Sequence, residues 1–240
     1  AASEAAELGA FVLYGRCDED LFVPYQPWVE ALGHLVAHSP QEMLDEHVAE
    51  RGGVLSRLVP ELERRTGVTA APSLDDDTER HLLFGAVADL MSRAAVMAPV
   101  VLVLDDLHWA DEPTVQLLRH VITASAPQRF LVLGTFRDSE VARGGTLAAA
   151  LAALHRERCV ERIALRGLGD ADLLAFLEMV AGHEMNASGV ALRDALLAET
   201  DGNPFFVTEL LRHLSDTGCL FQDHDGVWHV AFDLYRTGLP

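Results

Sequence analysis

Four short apolar runs constrain this chain most: residues 11–14 (Phe-Val-Leu-Tyr), 100–104, 130–135 and 160–165. Each has the length of a strand and is too continuous for a surface helix, as strands buried on both faces of a parallel sheet read. Helix-period stretches separate them. These carry Trp28, Leu32, Leu35 and Val36, then Leu82, Leu83, Val87, Leu90 and Met91, then Val115, Leu118, Val121 and Ile122, then Leu147, Leu151 and Leu154. Strands alternating with amphipathic helices predict an α/β fold with a parallel sheet covered on both faces.

Beyond residue 167 the pattern becomes helical. Asp170 and Ser188 are the expected N-caps of two helices, and Asp201-Gly202-Asn203-Pro204 breaks the chain before a third helix that Pro204 opens and Gly218 closes. Residues 219–230 read as two short strands around Asp223-His224-Asp225-Gly226. The expected organisation is an α/β core over 1–167, a helical module over 168–217, and a hairpin over 218–240 that starts a further module. The stretch 66–79, with Pro72 and Asp75-Asp76-Asp77, reads as an exposed acidic loop.

Composition narrows the function classes. With 37 acidic against 18 basic residues the formal net charge is −19, a field that repels a phosphate backbone, so direct nucleic-acid contact by this segment is not expected. The three cysteines, Cys17, Cys159 and Cys219, form no C-x-x-C pair and read as buried thiols in a reducing compartment. No apolar run approaches the roughly 20 residues that span a bilayer, and the expected location is cytoplasmic.

The chemistry concentrates after residue 100. Val100-Val101-Leu102-Val103-Leu104 ends in Asp105-Asp106, and in open α/β sheets ligands bind outside the carboxyl ends of the strands. A carboxylate there can hold magnesium against phosphates, and a second can polarise an attacking water. Leu107-His108-Trp109-Ala110-Asp111 runs on toward a helix, with Asp111 as N-cap.

Leu104-Asp105-Asp106-Leu107-His108-Trp109-Ala110-Asp111 resembles the Walker B signature of the AAA-related STAND-class signal-transduction ATPases, as in large ATP-binding LuxR-type regulators of bacteria and ATPase modules fused to adenylate cyclases. Gly15-Arg16-Cys17 with Pro24-Tyr25-Gln26-Pro27-Trp28 resembles that family's second strand and helix. Leu133-Gly134-Thr135-Phe136-Arg137-Asp138 resembles its sensor strand, and Asp201-Gly202-Asn203-Pro204-Phe205-Phe206 its lid segment.

The resemblance implies a three-layer P-loop NTPase-like core, a small helical lid and the start of a winged-helix-like module. It further implies ATP and magnesium as ligands of the full-length parent, bound between sheet and lid. Asp105 would then coordinate magnesium, Asp106 would be the catalytic or switch acid, and Thr135 and Arg137 would sense the terminal phosphate. Asn203 and Pro204 would approach the base or ribose. For Arg137 the alternative is a surface ion pair with Asp138 or Glu140, and for Pro204 a helix-opening role alone. Arg16 either positions phosphates or pairs with Asp18 or Glu19. His108 is expected to hydrogen-bond a neighbouring strand end, with Trp109 packed beneath the crevice.

One element of the family pattern is missing. No G-x-x-x-x-G-K-[ST] occurs in the 240 residues. In the family that loop precedes the Gly15-Arg16 strand, which places it and its strand upstream of Ala1. Its backbone N–H groups and lysine supply most of the phosphate affinity, so weak or absent nucleotide binding is expected of this chain alone. The alternative function is a nucleotide-free protein-interaction module that keeps the ATPase fold.

Overall fold

The computed structural model describes residues 2–20, 23–70, 75–124, 129–141, 145–157, 159–222, 224 and 228–230. The chain divides into two compact units, 1–161 and 162–240. Each is described by itself.

In chain order the first unit contains α1 (Ala2–Glu7), β1 (Phe11–Arg16), α2 (Gln26–His38), α3 (Gln41–Arg51), α4 (Pro60–Thr66), α5 (Asp76–Met97), β2 (Val100–Asp105), α6 (Glu112–Ala124), β3 (Phe130–Gly134) and α7 (Thr146–Leu154). The three strands form a parallel sheet in the order β1-β2-β3. Leu13, Leu102 and Val132 lie in register, as do Tyr14, Val103 and Leu133. This mixed α/β arrangement is consistent with a P-loop NTPase-like core.

One face of the sheet builds the core. Leu13, Leu102 and Leu104 are fully buried together with Trp28, Leu32 and Leu35 of α2, Val87 and Leu90 of α5, and Val115 and Leu118 of α6. Each such side chain contributes about 1.5–3 kcal/mol by leaving water. The indole N–H of Trp28 is satisfied in this apolar setting by the Thr114 carbonyl at 3.3 Å, which ties α2 to α6.

Several expectations need correction. The sheet is not covered on both faces: Tyr14 is 50% exposed, Leu131 51% and Leu133 36%. Residues 160–165 form no strand, and Ile163 and Leu165 are 73% and 92% exposed. An apolar run becomes a strand only where it pairs with a neighbour's N–H and C=O groups, and residues 160–165 pair with no strand among the described residues.

The acidic stretch is partly a helix terminus. Asp75 caps α5 by accepting from the Thr78 N–H at 3.0 Å, and Asp76, Asp77 and Glu79 fill its first turn, where carboxylates meet the positive end of the helix dipole. Pro72 lies outside the described residues. Of the three cysteines only Cys17 is buried; Cys159 is exposed and Cys219 intermediate, all three free.

The second unit contains α8 (Asp170–Ala181), α9 (Ala187–Thr200), α10 (Pro204–Asp216) and an antiparallel pair, β4 (Leu220–Gln222) and β5 (Trp228–Val230). Leu173, Leu177, Leu192, Leu196, Val207 and Leu214 form its core. Gly169, not Asp170, is the N-cap of α8, and Asn186, not Ser188, caps α9 by accepting from the Gly189 N–H at 3.0 Å. Asn186 wins because its carboxamide reaches the third amide of the helix from an extended backbone. Of the expected hairpin turn only His224 lies within the described residues, and residues 231–240 lie outside them. No helix among the described residues is long and apolar enough to cross a membrane.

Candidate functional site at the carboxyl rim of the sheet

The parallel register carries Arg16, Asp105 and Thr135 to one rim, because Arg16 is aligned with Asp105 and Thr135 follows Gly134, the partner of Leu104. The backbone ladder continues past β3: the Thr135 N–H donates to the Leu104 carbonyl at 3.0 Å, and the Leu107 N–H to the Thr135 carbonyl at 2.8 Å. The turn after β2 is thereby fastened to the turn after β3.

Asp105 is held on both oxygens. The Thr135 hydroxyl donates to its Oδ1, and the Tyr14 hydroxyl donates to its Oδ2 at 2.9 Å. The Thr135 bond, with a smaller contribution from Tyr14, holds the Asp105 carboxyl below its ordinary range against the opposing effect of burial. Tyr14 moves the other way, its phenol raised by the bond it donates to Asp105. Thr135 Oγ1 also accepts from the Asp106 N–H at 3.1 Å, so one hydroxyl bridges the acid and the turn behind it.

Asp106 sits in the left-handed region with φ 56° and ψ 41°, a conformation that Asn and Asp tolerate better than other side-chain-bearing residues. The reversal turns its carboxylate toward β1, where Arg16 Nε lies 3.0 Å from Oδ2. Arg16 pairs with neither Asp18 nor Glu19 through any contact the geometry shows, and Asp18 instead accepts from the Asp20 N–H. Beneath the rim, Cys17 donates its N–H to the Asp105 carbonyl at 3.0 Å, and burial pushes its thiol up to about 12. That thiol is not a nucleophile.

The turn from Leu107 to Trp109 buries the His108 side chain completely. Its Nδ1 accepts from the Arg137 N–H at 3.4 Å, just beyond β3, as expected of a bond to a neighbouring strand end. Its Nε2 lies 3.2 Å from Glu140 Oε2 and 4.0 Å from Asp106 Oδ1. Trp109 does not pack beneath the crevice but is 39% exposed, its ring 5.0 Å from that of His108. Asp111 accepts from the Thr114 N–H at 2.9 Å and so caps α6.

Of the residues singled out in the sequence, Asp105, Asp106 and Thr135 therefore meet at one rim. Arg137 reaches the same cluster through its backbone; its guanidinium, 68% exposed, pairs with Glu140 Oε1 at 2.8 Å. Asn203 and Pro204 belong to the second unit, where the Asn203 carboxamide accepts from the Phe205 N–H at 3.0 Å and Pro204 opens α10. Tyr14 carries no local sequence signal for its part in the cluster, which only strand register gives it; Glu140 pairs with Arg137 as the alternative reading of that arginine expects, and the turn after β3 brings it to His108.

The donor set can be tested against magnesium. Among the described residues no group of three or more histidine, cysteine or acidic side chains could hold a metal by itself. A single ionised carboxylate with free lone pairs is, however, what magnesium needs when it is bound mainly by waters and substrate phosphates. Asp105 fits that role.

The sequence model of the AAA ATPase domain family matches residues 1–133. No curated protein and no solved structure matches the chain. The matched stretch is more than half of the 240 residues and takes in β1, β2 and both rim acids. Members of this family of nucleotide-binding ATPase modules generally bind ATP with magnesium. From its parallel core and the acids at the end of β2, as from the extent of that match, the chain belongs to the AAA ATPase domain family.

Proposed function

We propose that residues 1–240 are part of an ATP-binding regulatory switch of the STAND class, as in LuxR-type transcriptional regulators, in which nucleotide state sets the output. In this reading Asp105 holds magnesium, directly or through water, and Asp106 is the catalytic or switch acid. Thr135 and Arg137 sense the terminal phosphate, and Asn203 and Pro204 contact base or ribose. Residues 218–240 begin a winged-helix-like module.

One observation carries the reading. Asp105 and Asp106 leave the carboxyl end of a parallel strand with their orientations fixed by the Thr135 hydroxyl, Tyr14 and Arg16. Residues 1–240 contain no G-x-x-x-x-G-K-[ST], so in this reading a flanking segment or a partner would have to supply the phosphate-binding loop. Support comes from the outer edge of β3, which has no partner strand among the described residues, and from the exposed apolar side chains Leu131 and Leu133 beside it.

The test is magnesium-ATP titration and turnover of the natural polypeptide that contains these residues. Asp105→Ala is expected to weaken magnesium-dependent binding by about tenfold or more. Asp106→Ala is expected to keep binding and lower turnover by about a hundredfold or more. Unchanged affinity and turnover in both variants would refute the assignment and favour a nucleotide-free interaction module that keeps the fold.

A further inference from the structure

The cluster behind Asp106 contains a contradiction between distance and bonding. His108 Nε2 and Glu140 Oε2 are 3.2 Å apart, yet each is buried and without a hydrogen bond, because their approach is misaligned. Buried polar atoms left unpaired are rare enough to require a reason.

The other atoms supply one. A backbone N–H can only donate, so the Arg137 N–H fixes His108 Nδ1 as the acceptor, and the neutral ring carries its proton on Nε2. That N–H lies between two carboxylates whose remaining oxygens are held by arginines: Glu140 Oε1 by Arg137 at 2.8 Å, and Asp106 Oδ2 by Arg16 at 3.0 Å. Arg137 and His108 thus face the two oxygens of one Glu140 carboxylate, the first bonded and the second not. Glu140 follows Arg137 by three residues on one turn, so their separation is short and the exchange needs no movement of the sheet.

We propose that His108 is a positioning residue that couples Arg137 to Asp106. While Arg137 holds Glu140, the Nε2–H is shared by neither carboxylate. When Arg137 turns to an anion, Glu140 loses its cation, rotates and accepts the Nε2–H. The Nε2–H dipole then turns from Asp106 Oδ1, 4.0 Å away, to Glu140, and the changed field at the acid registers occupancy at Arg137. The consequence for hydrolysis rests on the function proposed above; the exchange of partners does not.

Two measurements keep these separate. The first uses the 240-residue chain without nucleotide, labelled with ¹⁵N-histidine. Arg137→Gln, which removes the cation from Glu140, is expected to move the His108 Nε2–H resonance downfield and slow its exchange with water, and adding Glu140→Gln is expected to reverse both changes. A resonance unmoved by Arg137→Gln overturns the coupling, whether or not ATP binds.

The second measures magnesium-ATP turnover in the natural polypeptide. His108→Phe, which keeps ring volume without the N–H, is expected to lower kcat by about tenfold or more with KM moving much less, and His108→Gln to restore part of it. Equal losses in the Phe and Gln variants would mean a structural role and overturn the positioning role. Absence of both magnesium-ATP binding and turnover in the unmodified polypeptide sinks the proposed function, and the resonance measurement still decides the coupling.

Discussion

Arg16, the last residue of β1, places its Nε 3.0 Å from Asp106 Oδ2, the first residue after β2 and 90 positions away in the chain. The contact exists because the parallel register aligns Arg16 with Asp105 and because Asp106 then turns back with φ 56°. Backbone conformation and ion pair are therefore coupled at this acid. Asp106→Asn is expected to fold with an unchanged thermal midpoint, since Asn tolerates the left-handed region. Asp106→Val is expected to lose about 1–2 kcal/mol of stability, the cost of that region for a β-branched residue. Urea unfolding of the two variants side by side measures the difference.

Thr135 sets the acidity of Asp105. Thr135→Val keeps the shape of the side chain and removes the donor to Asp105 Oδ1, so the carboxyl should rise from its depressed position toward the ordinary 3.8. Tyr14→Phe should raise it less, because the Thr135 bond is the larger cause. Carboxyl ¹³C titration by NMR reads both, and an Asp105 midpoint that is the same in all three proteins contradicts the hydroxyl's part.

Close packing at the start of the core makes Gly15 sensitive. A Cβ there would lie 1.9 Å from the carbonyl oxygen of Pro27, a backbone atom that α2 holds in place. Gly15→Ala should cost about 3 kcal/mol or more. By contrast Gly33, inside α2 with open space around it, should tolerate the same change and gain about 0.5–1 kcal/mol from helix propensity. Chemical denaturation should move the two midpoints in opposite directions.

A buried charge network fastens α3 to α5. His47, fully buried, places Nδ1 2.8 Å from Asp89 Oδ2, and Asp89 also accepts from Arg93 Nε at 2.8 Å. Burial lowers the His47 ring below its ordinary 6.5 despite the carboxylate beside it. Burial opposes ionisation of Asp89 as well, but the bonds from Arg93 and His47 outweigh it and leave that carboxyl below 3.8.

For both groups the unfolded state binds a proton at a higher pH than the folded state does, so stability rises with pH across each window. Lowering the pH from neutral through 6.5 should therefore begin to destabilise the protein through His47, and a further loss should follow below 3.8 through Asp89. His120 of α6, lowered chiefly by partial burial, adds to the first phase with the same sign. His47→Gln should shrink the change in unfolding free energy between pH 7.5 and 5.5 without removing it; an undiminished change would exclude His47 as a source.

The amino-acid sequence by itself determined β1, β2 and β3, each an apolar run of strand length set between helix-period stretches. It also determined that Asp105 and Asp106 end a strand, and that Pro204 opens a helix, since helix starts and strand ends are set by near neighbours. Register was decided only by the tertiary structure. No local pattern states that Arg16 meets Asp106, that Tyr14 meets Asp105, or that His47 of α3 meets Asp89 of α5, because these pairs join residues 42 to 91 positions apart. The apolar run at 160–165 shows the converse. Its composition suits a strand, but a strand is a property of two neighbours, and the second is supplied by the fold and not by the run itself.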